Sequence, residues 1–580
     1  MKKVSLTLLL ILLFLFSGCG SPAESLHQLF ADYDSYLEQL NPSANANDED
    51  RSANAMLPDV SLAALAKNRN NYENFLSRLE QIPIQNLDTQ DQISYRLFQR
   101  MLKESVESFD LGGHLVPLNG WWDYHASFAE QPNRMPFNDT QDYENYIAKL
   151  RAFENYNNQF LSRLRNAIEV GWVRPKVVLD NYIPTVEALV SEAETSRFMA
   201  PFNTFPDRIS EDDRSRLKSE GLAAVSETVI PSYQALANFL REEYYPAAPY
   251  EIGISNLDGG KEYYEHLVRH YTTLDITPDE VHAIGLSEVA RIRKEMDEVI
   301  LSTGFSGSFN QFIHYLRTDP KFYAKDKTEL LSYTALILKR MDGELPRFFS
   351  RLPKAPYGIR EVPDYLAPRM TTAYYNSPAR DGTRAGFYYV NTYDLPSRPL
   401  YEVEALSFHE AVPGHHLQLA LQQELGDLPK FRQNSGFTVF VEGWALYSER
   451  LGLEMGFYTD PYSNFGRLTY EMWRALRLVV DTGMHYKGWT RQEAIDYMAE
   501  NSALTLLNIS NEVDRYIFWP GQALAYKTGE IKIRQLREQA ERELGPTFDI
   551  RKFHEIVLEN GSITLEVLEE RVLDWIASAK

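Results

Sequence analysis

A single cysteine in 580 residues leaves the chain no partner with which to close an intramolecular disulfide. Basic blocks are also missing: 59 Lys and Arg stand against 81 Asp and Glu, for a net charge of -22. A nucleic-acid binder needs a basic face, so this balance excludes that class and leaves an acidic surface that favours solubility. There is no glycine-rich phosphate loop and no internal repeat, which removes P-loop nucleotide chemistry and solenoid architectures. Beyond residue 19 no apolar run approaches the roughly 20 residues that a membrane-spanning helix needs. What remains is an ordinary globular composition, 44% hydrophobic, on a chain long enough for one large core or two fused lobes.

The one cysteine has a telling position. Lys2 and Lys3 precede an apolar stretch from Val4 to Phe16, which is too short to span a bilayer and has the form of an export signal. Leu15-Phe16-Ser17-Gly18-Cys19 then looks like a bacterial lipobox, with Phe16 where an aliphatic residue is usual. Cys19 is therefore the expected lipidation site. This divides the chain into a signal peptide (1–18), an anchored N-terminal segment and tether (19–58), and a body (59–580). The protein is expected to be exported and lipid-anchored to a bacterial membrane, its soluble body in the periplasm or outside the cell.

That body reads as mainly α. Leu26 to Leu40 has an amphipathic pattern, and Asn41 to Asp50 is small, polar and loop-like. Apolar residues recur at three- and four-residue spacing in Tyr143–Val170, Val281–Leu301, Leu330–Phe349 and Glu493–Leu507, predicting helices. Thr277-Pro278-Asp279-Glu280 and Thr490-Arg491-Gln492-Glu493 are capping boxes, in which a hydroxyl and a carboxylate satisfy backbone N–H groups at a helix start. One stretch departs: Ala385 to Thr392 is aromatic and β-branched after the turn Arg380-Asp381-Gly382-Thr383, which predicts a short strand.

Metal-ligand chemistry concentrates in one segment, His409-Glu410-Ala411-Val412-Pro413-Gly414-His415-His416, which holds three of the 12 histidines. Zinc hydrolases need neutral imidazoles, a carboxylate base and an open position for water. In their common H-E-x-x-H helix the two histidines lie about 40° apart on one face. Here the spacing is six or seven residues. On a straight helix that puts His415 roughly 120° from His409, and His416 about 10.5 Å along the axis. Pro413 cannot donate a helical hydrogen bond and Gly414 tolerates unusual dihedrals, so a local bulge there is expected to absorb the extra residues. A third ligand is expected from Phe437–Glu449, where Glu442 sits in an apolar run that makes an unpaired carboxylate expensive. Glu449, seven residues on, is the outer-shell or alternative ligand.

His-Glu-Ala-Val-Pro-Gly-His-His-Leu-Gln (409–418) and Val-Glu-Gly-Trp-Ala-Leu-Tyr-Ser-Glu (441–449) resemble the bacterial "domain of unknown function 885" family. So do Tyr271-Thr272-Thr273, Val281 to Leu286, Asp381 to Arg384, and Pro520 to Tyr526. That family in turn looks like a distant relative of helical zinc peptidases of the carboxypeptidase Taq and angiotensin-converting enzyme groups. The resemblance implies a zincin-like helical metallopeptidase domain with a small β element beside the cleft. Those peptidases often carry Gly before the second His, which favours His415 over His416, although the two-residue insertion leaves the pair open. Asp514-Arg515-Tyr516-Ile517 is similar to an Arg-Tyr segment of the converting-enzyme group, which implies Tyr516 as oxyanion donor. Arg384, Tyr388, Arg515 and His485 follow as candidate substrate contacts, His485 with the alternative of a satisfied core imidazole.

The expected activity is zinc-dependent hydrolysis of peptide bonds outside the cytoplasmic membrane, with zinc on His409, His415 and Glu442 and with Glu410 as general base. The expected partners are a peptide or small amide substrate and a membrane reached through the lipid anchor; the oligomeric state stays open. Two alternatives stand beside this: a non-catalytic peptide-binding lipoprotein, and a zinc amidase acting on a non-peptide or cell-wall amide. The intact Glu410 separates the first, because a pure binder has no use for a carboxylate next to its ligand.

Overall fold

Capping residues set many of the helix starts. Ser21, Thr277, Ser308 and Thr490 each close a reciprocal capping box at the head of a helix, and Asp88, Asp139 and Asp326 cap three others. The structure is a computed structural model; it describes residues 21–42, 51–118, 120, 123–364, 367, 370–426, 428–434 and 436–580. The expected helices appear as Thr140–Glu169, Pro278–Ser302 and Lys327–Phe348. The fourth does not run through. Helix Arg491–Asn501 stops, Ser502 is extended, and Thr505 caps a new helix, Leu506–Phe518. A Ser and a Thr three residues apart compete for the backbone there, which apolar periodicity alone does not register.

Helix Pro22–Leu40 is not a free tether. Leu26, Leu29 and Phe30 are buried, and the Phe30 ring lies 5.2 Å from Phe98 and 5.1 Å from Phe431, so this segment shares the core of the body. Residues 43–50, most of the predicted loop, and the lipobox with Cys19 lie outside the described residues. Among the described residues no helix is long and apolar enough to cross a membrane.

The centre of the molecule is helix Pro461–Tyr486, buried around nearly its whole circumference. Helices Pro278–Ser302 and Ala525–Leu544 share a buried charge cluster with it. Lys527 Nζ lies 2.7 Å from Glu530, 2.9 Å from Glu471 and 3.0 Å from Glu288, with Arg291 and Arg467 completing the balance. Burial opposes charge on Lys527, but the three carboxylates outweigh it and push its pKa up to about 12. Lys527→Met is expected to cost about 3–5 kcal/mol, because removing one partner strands buried charge. Denaturant unfolding reads this directly; a loss below 1 kcal/mol, the range of surface pairs, would show that the cluster rearranges at little cost.

Three strands form a sheet in the order β1 (Tyr357–Glu361), β3 (Gly386–Val390), β2 (Ala373–Asn376). β1 runs parallel and β2 antiparallel to β3, with Tyr388 opposite Ile359 and Tyr375. The expected strand is thus the central one, and its alternation buries Gly386, Tyr388 and Val390 on the face turned to the helices.

Candidate metal centre

Helix Val403–Glu410 ends at the predicted base, and helix His415–Gln423 begins at the second histidine. Between them the chain leaves helical geometry altogether, at Ala411 (φ −105°, ψ −108°), through a cis Val412–Pro413 bond, to Gly414 (φ −73°, ψ −127°). The expectation of a bulge within one helix is therefore corrected: the insertion is absorbed by a complete break. Gly414 permits it, since a Cβ there would fall 2.0 Å from the His409 carbonyl oxygen and 2.3 Å from that of Phe408. The His416 N–H donates to the Ala411 carbonyl across the break, and Trp444 Nε1 donates to the Pro413 carbonyl at 2.8 Å.

Trp444 lies on helix Thr438–Leu451, which also carries Glu442. This helix crosses Ala525–Leu544 at Gly443 and Gly529, where a Cβ on Gly443 would meet the Gly529 Cα at 2.5 Å. The close crossing seats Glu442 against the two histidines. Glu442 Oε2 is 3.4 Å from His409 Nε2 and 3.6 Å from His415 Nε2, and the three ligand atoms lie within 4.8 Å of one another. The imidazole planes are nearly perpendicular, 85° apart, with centroids 4.7 Å apart. Glu449 Oε1 holds the other ring nitrogen of His409 at 2.8 Å and is itself 3.3 Å from Arg474. A carboxylate that fixes a ligating imidazole from behind is the usual outer support of a metal site.

The electrostatics follow from this crowding. Burial opposes charge on His409, but Glu442 and Glu449 outweigh it and raise its pKa to about 9. Burial also opposes ionisation of Glu442, yet His415 and His409 hold it down to about 2. Burial lowers His415 to about 4, and burial, with Glu442 beside it, lifts Glu410 to about 7. Glu442 Oε2 is buried with no hydrogen-bond partner among the described residues. An ionised oxygen left so, between two imidazole nitrogens, fits a cation ligand. His415 and Glu442 each keep a small exposed fraction of their side chains.

The remaining candidates separate. His416 turns the other way: it pairs with the Tyr375 hydroxyl at 2.7 Å and packs on Tyr357, so it belongs to the sheet contact and not to the ligand group. Tyr388 reaches the site. It is fully buried, and burial and the Glu410 charge raise its pKa against the opposing effect of the neighbouring Ser407 hydroxyl. Tyr516 does not keep the hydroxyl that the oxyanion role requires. That oxygen donates to Glu512 and accepts from Arg477 and Trp473, at 2.8, 2.9 and 3.1 Å. Arg515 is spent on Glu512 and Gln522. His485 is fully buried between the Tyr516 carbonyl and the Ile254 N–H, so the satisfied core imidazole is the outcome, not a substrate contact. Arg384 is exposed and folds back on the Ser377 carbonyl at 2.7 Å.

Three residues at the site escaped the sequence. Arg474 and Arg477, on the buried central helix, lie beside Glu449 and Glu442, and Tyr526 stacks under Arg477 with its centroid 4.3 Å away. The available signal was a pair of arginines one turn apart in an apolar helix, the same logic that singled out Glu442.

A family model described as "Bacterial protein of unknown function (DUF885)" matches residues 43–572. A solved structure described as a "putative lipoprotein" from Colwellia psychrerythraea superposes with a TM-score of 0.89 at 28% identity, covering 96% of this chain and 100% of that one. Another so described, of unknown function and from Shewanella oneidensis, gives a TM-score of 0.72 at 18% identity over 96% of this chain and 100% of that one, a likeness of fold. No curated protein matches.

Proposed function

The chain belongs to the DUF885 family of bacterial proteins of unknown function, and we propose that this member is a zinc-dependent peptidase, distantly akin to the helical zinc peptidases. The single observation that carries this is the convergence of His409 Nε2, His415 Nε2 and an unpartnered Glu442 Oε2 within 4.8 Å, beside a buried Glu410. A divalent ion such as zinc, held by those three groups, supplies Lewis acidity towards water and a scissile carbonyl. Glu410 takes the proton from the attacking water at its carboxylate and passes it to the leaving amine as the C–N bond breaks. A pKa lifted to about 7 suits both halves of that transfer. Tyr388, from the sheet, buried beside Ser407 and Glu410, offers its hydroxyl to the carbonyl oxygen. Glu449 holds His409 in register; Glu449→Gln is expected to weaken metal affinity about 10–100-fold with helix content unchanged, read by chelator competition. Equal affinity in both proteins would remove that role.

The export and anchoring of this protein through Cys19 form part of the same proposal, supported by the signal-like N-terminus and by the description of the Colwellia relative. The test is metal-stripped full-length protein resupplied with zinc. It is expected to hold about one equivalent per chain, to cleave a mixed peptide library, and to stop when chelated. Folded protein that takes up no zinc would overturn the proposal.

A further inference from the structure

Helix Gly260–Thr272, helix Thr89–Asp110 and the start of the Glu442 helix enclose a second cavity, of about 460 Å³, within the range of small-ligand pockets. Arg174 lines it. This arginine is only 6% exposed, and its Nε donates to the Leu118 carbonyl at 2.9 Å. Among the described residues its terminal nitrogens have no hydrogen bond and no carboxylate within 4 Å, whereas three of the six buried arginines, Arg467, Arg474 and Arg477, each have one. Asp123 is the nearby acid that acts on it at longer range. Glu104, the other charged residue of the wall, is matched by Arg100 at 2.7 Å. The cavity wall thus carries a desolvated positive charge whose nearby acid, Asp123, acts only at longer range, and an anion that met the guanidinium directly would lower its cost.

His266 supplies a second polar feature. It is almost fully buried, its Nδ1 lies 3.1 Å from Glu107, and burial holds its pKa below the usual value, so the ring is neutral. With Nδ1–H given to that carboxylate, Nε2 presents a lone pair that accepts from an amide N–H. Phe437, Phe518 and Trp519 provide aromatic wall. Phe437 and Thr438 also begin the helix that carries Glu442 one turn later, about 6 Å along its axis.

We propose that this cavity is a recognition subsite for the C-terminal residue of a peptide with an apolar side chain, its carboxylate on Arg174 and its amide N–H on His266. A single cation already felt by Asp123 suits a monoanion better than a phosphate dianion, and the carboxylate, amide and apolar body all occur on one such residue. The assignment of the ligand as substrate rests on the peptidase proposal; the binding site itself does not, so it is tested without metal.

The experiment is calorimetric titration of full-length, metal-free protein with N-acetyl-phenylalanine, its amide, and inorganic phosphate. The acid is expected to bind at least about tenfold more tightly than the amide, since hydrogen bonds between charged groups are the strong ones. Arg174→Gln should erase that preference while the melting temperature stays level or rises, because the variant no longer buries a desolvated guanidinium. Should Arg174→Gln fail to fold, Ser105→Trp, which fills the cavity from its wall, is expected to abolish binding of acid and amide alike. Acid and amide binding equally, a preference that survives Arg174→Gln, acid binding unaffected by Ser105→Trp, or phosphate binding more tightly than the acid would each overturn the subsite. Arg174-dependent binding of the acid by a protein that cleaves no peptide upholds the subsite and refutes only the peptidase proposal.

Discussion

His415→Ala is expected to strip the protein of zinc, while His416→Ala keeps it. The two residues are adjacent and chemically identical, and the Gly-His resemblance that favours His415 leaves the pair open, so the break at Ala411–Gly414 is what separates them. It starts a new helix at His415 and points that ring at Glu442, 3.6 Å away. One residue on, about 100° around the helix, His416 meets Tyr375 and Tyr357 of the sheet. Loss of His415 leaves one imidazole and one carboxylate, so affinity should fall by more than the about 10–100-fold that an outer-shell partner is worth. Loss of His416 should act on stability, by about 1–3 kcal/mol for an orphaned buried partner. Zinc content after dialysis, with denaturant unfolding alongside, distinguishes them. Zinc lost from His416→Ala and kept in His415→Ala would reverse the ligand assignment.

The same break shows what the sequence could and could not disclose. His409, Glu410 and Glu442 were legible because their chemistry is local: a carboxylate beside a histidine, and another in an apolar run. The sense of the Pro413–Gly414 irregularity was not, because it depends on the Gly414 backbone lying against the His409 and Phe408 carbonyls and on Trp444 from another helix. Tyr388 was legible as strand but not as a neighbour of Glu410, since its orientation follows from pairing with β1 and β2, segments with no strong pattern of their own. Tyr516 shows the converse: its oxygen is held by Glu512, one turn back on its own helix, and by Arg477 and Trp473 of the central helix, and the latter two contacts are not local. The mainly helical architecture was legible because caps and periodicity are local; the helix bounds were missed at Ala411–Gly414 and at Ser502–Thr505, where two local signals compete.

Glu410→Gln should separate metal binding from chemistry. The amide occupies nearly the same volume, and Glu410 is not among the three converging ligand groups, so zinc content should match the wild type. The melting temperature should hold or rise, because burial already pushes this carboxyl up to about 7 and the variant no longer buries an ionisable group. Turnover should fall by about 10²–10⁴-fold, the usual worth of a positioned general base, with KM changed much less than kcat. The split carries the argument. A fall in kcat with zinc retained assigns Glu410 to proton transfer; a parallel loss of zinc would make it part of the ligand shell instead. Wild-type turnover in Glu410→Gln would leave His409, His415 and Glu442 as a metal centre without its base, and would move the search for that base to the other carboxylate within reach, Glu449, which would then have to give up its hold on His409.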